Sequence, residues 1–436
     1  MQTKPGLVLA VAVLLGSGLA AVPVARSLEE ARVPRGPAVS EAEAREIDLD
    51  FFRKRVARDS RSARDYGELG RLYLQRARET GDNEDLARAE ANARRSLELR
   101  AGRNQAAFQV LAASLLAQHR FDEARAVAQR LVARDSTVPA TRALLAETLL
   151  ELGRYDEARA EFGRLQSYRA SLSVAPRLAR WEEIRGRPGQ ARSLLRQARD
   201  EAGRRHGMPG EQIAWFQLRL GDLALRHGRL DEAETELQQG LGAVPEDHRI
   251  LAALARLESA RHRWPRAIDY GERAIARAVD PATLGLLYDA YAATGDSARA
   301  EDAYRAMAVA VLRQPGPFHR AWSLFLLDHG REIGTVLGKA QEELEVRKDV
   351  YGYDLVAWAR YRSGRPAEAR EPMARALSLG TEDAMLWYHA GMIERALGDT
   401  ASARRHLSAA LDLNPYWHPF QPAAARAVLD SMNRQP

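Results

Sequence analysis

The sequence predicts an all-α solenoid of stacked helical hairpins, and three observations carry that prediction. An alanine recurs about every 34 residues, at Ala124, Ala158, Ala191, Ala233, Ala267, Ala300, Ala369 and Ala403. A turn-forming residue precedes most of these positions, such as Gly153, Gly228 and Gly398. A bulky apolar residue follows one helical turn later, as Phe162, Leu237 and Leu407 do. That spacing is one helix, a turn and a second helix, and no single hairpin of this kind buries its apolar face alone, so the units must stack. Two steps are irregular. The 42 residues from Ala191 to Ala233 mark an insertion around Gly203–Gly210, and the 69 residues from Ala300 to Ala369 enclose a degenerate unit over His319–Val346 with Thr335 in the alanine place.

The elements follow in chain order. Residues 1–25 read as a signal peptide or an N-terminal membrane anchor: Lys4 precedes the apolar run Leu7–Leu15, and small residues Gly16–Ala20 follow. The stretch from Pro5 to Ala25 carries no charge and is long enough to cross a bilayer, so both readings stay open. Residues 26–40, with Pro34, Gly36 and Pro37, form a tether. Residues 41–62 make a lead-in helix, with Ser40 and Glu43 spaced as a capping box and Ile47, Phe51 and Val56 on its apolar side. The repeat array covers residues 63–417, about nine units plus the degenerate one. In its first unit Leu69-Gly70, Tyr73, Ala89, Ala93 and Leu97 mark the two helices, and residues 418–436 hold a closing helix and tail.

The unit that starts at Trp387 shows why the period exists. Small residues at Gly391 and Ala403 let two helices approach, Trp387 and Leu407 fill the space beside them, Gly398 turns the chain and Pro415 ends the second helix. The same order recurs at Leu220-Gly221, Gly228, Ala233, Leu237 and Pro245, and at Leu145-Ala146, Gly153, Ala158, Phe162 and Leu165. This pattern resembles the tetratricopeptide repeat (TPR) family. The resemblance implies a right-handed superhelix whose first helices line a concave groove that binds peptides or protein segments. It also implies groove positions, which here carry Arg177, Arg180, Arg219, Asp222, Arg226 and Arg256 in the middle of the array. Toward the C-terminus they carry Tyr351, Trp358, Tyr361, Met385, Tyr388, His389 and Met392. A basic middle and an aromatic end suit an acidic segment with an apolar anchor. The family's carboxylate-clamp pattern is absent, since Ala143, Ala252 and Gly285 stand where Lys and Asn would be needed.

Composition narrows the function classes. The chain has 436 residues, 46% hydrophobic and 28% charged, with no Cys, which excludes disulfide scaffolds, thiolate metal sites, a Cys nucleophile and a lipidated Cys. The net charge of +6 is small for this length, and the pI of 9.6 reflects Arg rather than a designed anion surface, since Lys4, Lys54, Lys339 and Lys348 are the lysines. Arg192, Arg196, Arg199, Arg204 and Arg205 form the densest basic run and read as a solvated face neutralised in part by Asp200 and Glu201. No phosphate loop, zinc-protease motif or nucleophile elbow is found, and Gly338-Lys339-Ala340 lacks the rest of a phosphate-loop motif. His119 and His262 fall at inter-helix turns, Asp328-His329 reads as structural, and the pairs Asp122-Glu123 and Asp156-Glu157 sit where negative charge suits a helix start. No catalytic residue, metal or cofactor is therefore expected. The groove positions vary without a base-reading code, so nucleic acid is not an expected partner.

The resulting expectation is a non-enzymatic, extracytoplasmic scaffold, periplasmic, secreted or held at the membrane by its N-terminal segment, that binds protein or peptide segments. The alternative is a membrane-anchored regulatory subunit or chaperone of an envelope enzyme or assembly machine. The sequence leaves the oligomeric state open.

Overall fold

The computed structural model describes residues 40–205, 207–313 and 320–434. The proposed signal or anchor and nearly all of the tether lie outside the described residues. The chain divides into units 1–46 and 47–436. In the first unit Ser40 and Glu43 form the expected capping box: Glu43 N donates to Ser40 Oγ at 3.2 Å and Ser40 N donates to Glu43 Oε2 at 2.9 Å. They open helix α1 (Glu41–Arg58).

The second unit is a right-handed superhelical solenoid of helix pairs, with no strand among the described residues. Leu49 is buried in its core with Phe52 and Val56 beside it, whereas Ile47 and Phe51 are exposed, so the apolar side of α1 lies over different residues than the sequence pattern implied. The pairs are α2 (Ala63–Thr80) with α3 (Asn83–Leu99), α4 (Gln105–Ala117) with α5 (Phe121–Arg134), and α6 (Pro139–Glu151) with α7 (Tyr155–Gly163). Next come α8 (Ala175–Ile184) with α9 (Pro188–Arg204), α10 (Gly210–Arg226) with α11 (Leu230–Ala243), and α12 (His248–Ala260) with α13 (Trp264–Arg277). The series continues with α14 (Pro281–Ala293) and α15 (Ser297–Arg313), α16 (Arg320–Asp328) and α17 (Ile333–Val346), then α18 (Val350–Arg362) and α19 (Pro366–Ala376). Helices α20 (Ala384–Ala396) and α21 (Thr400–Leu413) form the last pair, and α22 (Gln421–Asn433) follows.

The repeat residues do what their chemistry requires. All eight recurring alanines are buried. A Cβ added at Gly391 would stand 2.6 Å from Leu407 Cγ, and one at Gly221 would stand 2.7 Å from Leu237 Cδ2, so these positions are small because the facing leucine occupies the space. Every hairpin turn carries at least one residue in the left-handed region, a glycine in eight of them and His119 (φ 58°) and His262 (φ 54°) in the other two. The insertion near Gly203–Gly210 lengthens α9 and α10 to 17 residues each. In the degenerate unit Thr335 is exposed, and Val336 and Ala340 take the buried places. Alignment on Thr335 is therefore one residue out of register, because α17 starts after a second left-handed residue, Glu332.

Successive turns of the superhelix touch along a seam. Helix C-termini leave main-chain carbonyls without intrahelical partners, and here side chains from far along the chain supply them. Thr381 Oγ1 donates to Ile184 O at the end of α8, across 197 residues of sequence. Asn414 Nδ2 donates to Leu225 O at 3.0 Å and Arg226 O at 3.2 Å at the end of α10, 189 and 188 residues away. At the α6–α7 turn, Val350 N donates to Tyr155 Oη at 2.7 Å and Arg347 pairs with Glu151 at 3.0 Å. Each of these three hairpin turns thus meets the segment that follows the fifth repeat further on.

The seam leaves no room for a side chain at Gly153, where an added Cβ would overlap the main-chain carbonyl of Lys348; at Gly398, also left-handed, nothing lies within 4 Å. Gly398→Ala should cost only the left-handed strain, about 1–2 kcal/mol. Gly153→Ala should cost at least about 1 kcal/mol more, because buried seam hydrogen bonds are each worth roughly that much, and it should deprotect the amide of Val350. Denaturation midpoints and hydrogen exchange of the two variants check this; equal costs with unchanged protection would mean that the seam does not hold.

Candidate binding cavity

The first helices of seven consecutive hairpins, α8 through α20, face a common interior that holds a cavity of about 600 Å³. Arg180, Asp222, Arg226, Arg256, Tyr351 and Met385, all expected groove residues, line it. The remaining expected positions do not. Arg177 is occupied structurally, donating to Glu147 Oε2 and to Ser173 O at 2.7 Å each. Arg219 lies behind the cavity wall against Glu183, at 3.3 Å. Tyr361 and Met392 are half-buried and packed against the core.

Three positions need correction. Trp358 is 2% exposed, Tyr388 5% and His389 0%, so none of them presents a contact surface. The Trp358 ring stacks on His389 at 4.0 Å, its Nε1 donates to Asp328 at 3.0 Å, and Trp417 covers Tyr388 at 5.6 Å between ring centroids. Burial pushes the Tyr388 hydroxyl up to about 12. His389 Nδ1 lies 2.6 Å from Asp354 Oδ1, and Asp354 Oδ2 accepts from Arg320 at 2.8 Å. Burial favours the neutral acid at Asp354, but His389 and Arg320 outweigh it and hold the carboxyl below its ordinary range. This network ties α16, α18 and α20 together and is structural.

The basic wall is built around one carboxylate. Glu183, 8% exposed at the end of α8, sits 2.8 Å from Arg226, 3.2 Å from Arg180 and 3.3 Å from Arg219. Burial pushes the Glu183 carboxyl up, but Arg226, Arg180 and Arg219 together pull it down to about 2. Arg219 is held below the ordinary guanidinium range by burial and by repulsion from Arg226 and Arg180, which Glu183 and Asp222 only partly offset. Arg256 joins this wall through Asp222 at 2.6 Å. Arg180 and Arg320 both lie over the Tyr351 ring, at 5.6 and 4.9 Å from its centroid.

The opposite end is aromatic and apolar, and sequence reasoning missed most of it. Met307, Leu324, Phe325, Tyr416 and Trp417 line it, with His329 and His418. His329 Nε2 lies 2.9 Å from Asp289, and Trp417 Nε1 donates to Gln421 at 2.7 Å. The Tyr416–Phe420 segment follows the last hairpin, where repeat-based groove positions no longer apply. Glu183 was visible only as the acidic partner three residues after Arg180.

The dense basic run on α9 and after it is paired. Arg192 and Arg196 reach Glu232 at 3.3 and 3.0 Å, Arg199 reaches Glu236 at 3.1 Å, and Arg204 and Arg205 both bind Glu201 at 3.1 Å. Among the described residues no three or more His, Asp or Glu side chains gather as metal ligands, and no helix is long and apolar enough to cross a membrane.

Stacked helix pairs around a concave interior define a helical-repeat binding protein. Residues 115–171 and 184–257 match one tetratricopeptide-repeat model and residues 357–416 match another. These segments are tetratricopeptide repeats, and the matches support a tetratricopeptide-repeat protein. No curated protein matches it. Similar solved structures include the Cut9–Hcn1 hetero-tetramer of APC/C, with 13% identity, 90% of this chain and 93% of that one covered, and a TM-score of 0.35. Yeast Tom70 is similar at 10% identity, 90% and 93% coverage and a TM-score of 0.38. A tetratricopeptide-repeat protein from Parabacteroides merdae is similar at 14% identity, 64% and 99% coverage and a TM-score of 0.36. The repeats suggest a protein–protein interaction scaffold, a fold that is typically non-enzymatic.

The depressed Glu183 carboxyl makes a stability prediction with a definite sign. A carboxyl whose folded pKa lies below its unfolded value contributes stability that is complete above the unfolded value and is lost as pH falls through the folded one. For Glu183 the window runs from 4.5 down to about 2, and the amount lost is on the order of 3 kcal/mol. Glu183→Gln should destabilise the protein at neutral pH and flatten its loss of stability across that window. Urea midpoints measured from pH 6 to pH 2 check this; parallel curves for the two proteins would contradict it.

Proposed function

We propose that this protein is an extracytoplasmic scaffold that holds segments of other proteins inside its superhelix. The observation that carries this reading is the cavity of about 600 Å³ lined by the first helices of seven hairpins. Its lining mixes Arg, Tyr, Trp and Met, the side chains that dominate contact energy when a partner displaces water from them. A single extended segment fits a cavity of this size better than a folded domain does. The extracytoplasmic part rests on the order of Lys4, the apolar run Leu7–Leu15 and the small residues after it. Retention of that segment would make the protein a membrane-held subunit of an envelope assembly.

Two measurements test the reading. Fractionation with N-terminal sequencing should find the chain outside the cytoplasm, either starting near Ala21 or retaining Met1 in the membrane; soluble cytosolic protein with an intact Met1 would refute export. A photo-crosslinking residue at Met385, in the cavity, should capture partner chains in the native envelope, whereas one at the exposed Arg196 should not. Equal capture at both positions would place the interaction elsewhere.

A further inference from the structure

The charge count at the basic wall does not close. Three guanidiniums, of Arg180, Arg219 and Arg226, share the single Glu183 carboxylate, and Arg256 and Asp222 cancel one another. Among these six side chains the sum is a positive excess of two charges, which Glu151, acting on Arg180 as well as on Arg347, reduces to about one; the three guanidiniums that share Glu183 are between one fifth and one third exposed. Like charges brought together away from bulk water repel strongly, and an opposite charge placed between them is correspondingly favoured. Arg180 and Arg226 of this group face the cavity; Arg219 does not. The other cavity cations are already matched, Arg320 by Asp354 and Arg347 by Glu151 and Asp349.

We propose that the cavity selects an acidic peptide segment, with one side-chain carboxylate seated between Arg180 and Arg226 and a neighbouring apolar side chain against Phe325, Met385 and Trp417. This rests on the reading that the cavity binds protein segments, and it names their chemistry. A guanidinium pair accepts a carboxylate through charge-assisted hydrogen bonds. The same cavity wall carries Asp222, Asp289, Asp328 and Asp383, which repel an extended polyanion more than they repel one carboxylate. The apolar end calls for a hydrophobic side chain, which a free inorganic anion does not supply.

The test uses the full chain and a library of randomised, labelled decapeptides that are acetylated and amidated, so that no terminal carboxylate is present. Selected peptides should carry Asp or Glu beside Phe, Leu, Met or Trp. Changing the acid in the tightest peptide to its amide should weaken binding about tenfold or more, the scale of a hydrogen bond to a charged group. Arg226→Gln and Arg180→Gln should each cause a similar loss, and Arg226→Lys a smaller one, with circular dichroism confirming the fold. Should either variant fail to fold, the acid-to-amide change in the peptide gives the same readout on the unaltered protein. Peptides that lose binding in Met385→Lys yet show no acidic preference would overturn this proposal and leave the cavity reading intact. Displacement of the peptide by inorganic phosphate at equal concentration would also overturn it, in favour of a small-anion site. Failure to select any peptide sensitive to Met385→Lys would overturn both.

Discussion

Unpaired carbonyls at the ends of helices are the constraint on which this architecture turns. A solenoid of short hairpins exposes a row of such groups at the ends of its first helices, and each needs a donor. Water can serve, but here Thr381 and Asn414 donate to the ends of α8 and α10, and the Tyr155 hydroxyl accepts from Val350 beside the α6–α7 turn. The donors lie nearly two hundred residues away, so the contacts fix the pitch of the superhelix rather than the shape of one repeat. Local stacking still supplies most of the burial. The seam decides how tightly the stack is wound, and therefore how large the interior is.

An interior of that size brings side chains from neighbouring and distant repeats to one wall. Arg180 and Arg226 belong to different hairpins, and their shared partner Glu183 is what makes the arrangement tolerable. Tyr351, from a hairpin much further along, places its ring beside Arg180. The partial neutralisation of the cluster is a property of the coiled array, because no single repeat contains it. The aromatic end has the same origin: Trp417 reaches the cavity only because the chain crosses beyond the last pair before α22 begins.

Local features were legible in the sequence and long-range ones were not. The recurring alanines, the turn glycines and the acidic helix starts at Asp122-Glu123 and Asp156-Glu157 depend on contacts within a hairpin or between neighbours. Thr335 misled because a single extra left-handed residue shifts helix register without altering the repeat length. Trp358, Tyr388 and His389 misled for a different reason. Their positions face inward in an isolated hairpin, but Asp354, Asp328 and Trp417 fill the space in front of them. The half of the cavity lining at Arg180, Asp222, Arg226 and Arg256 was legible because consecutive repeats build it; the closing segment Tyr416–Phe420 lies outside the repeat and gave no such signal.

The seam is tested most directly by a covalent bridge across it. The native chain has no cysteine, so Gly81→Cys with Ala278→Cys introduces the only two thiols. A Cβ at Gly81 would stand 2.7 Å from the Ala278 Cβ, between the first hairpin and the linker that precedes α14. Close winding predicts that mild oxidation of dilute, folded protein joins the two thiols within one chain, with a shift of about 1 Å at Gly81 to reach disulfide spacing. Two thiols that stay free, or that link separate chains, would show that successive turns of the superhelix stand apart and that the interior is an open groove.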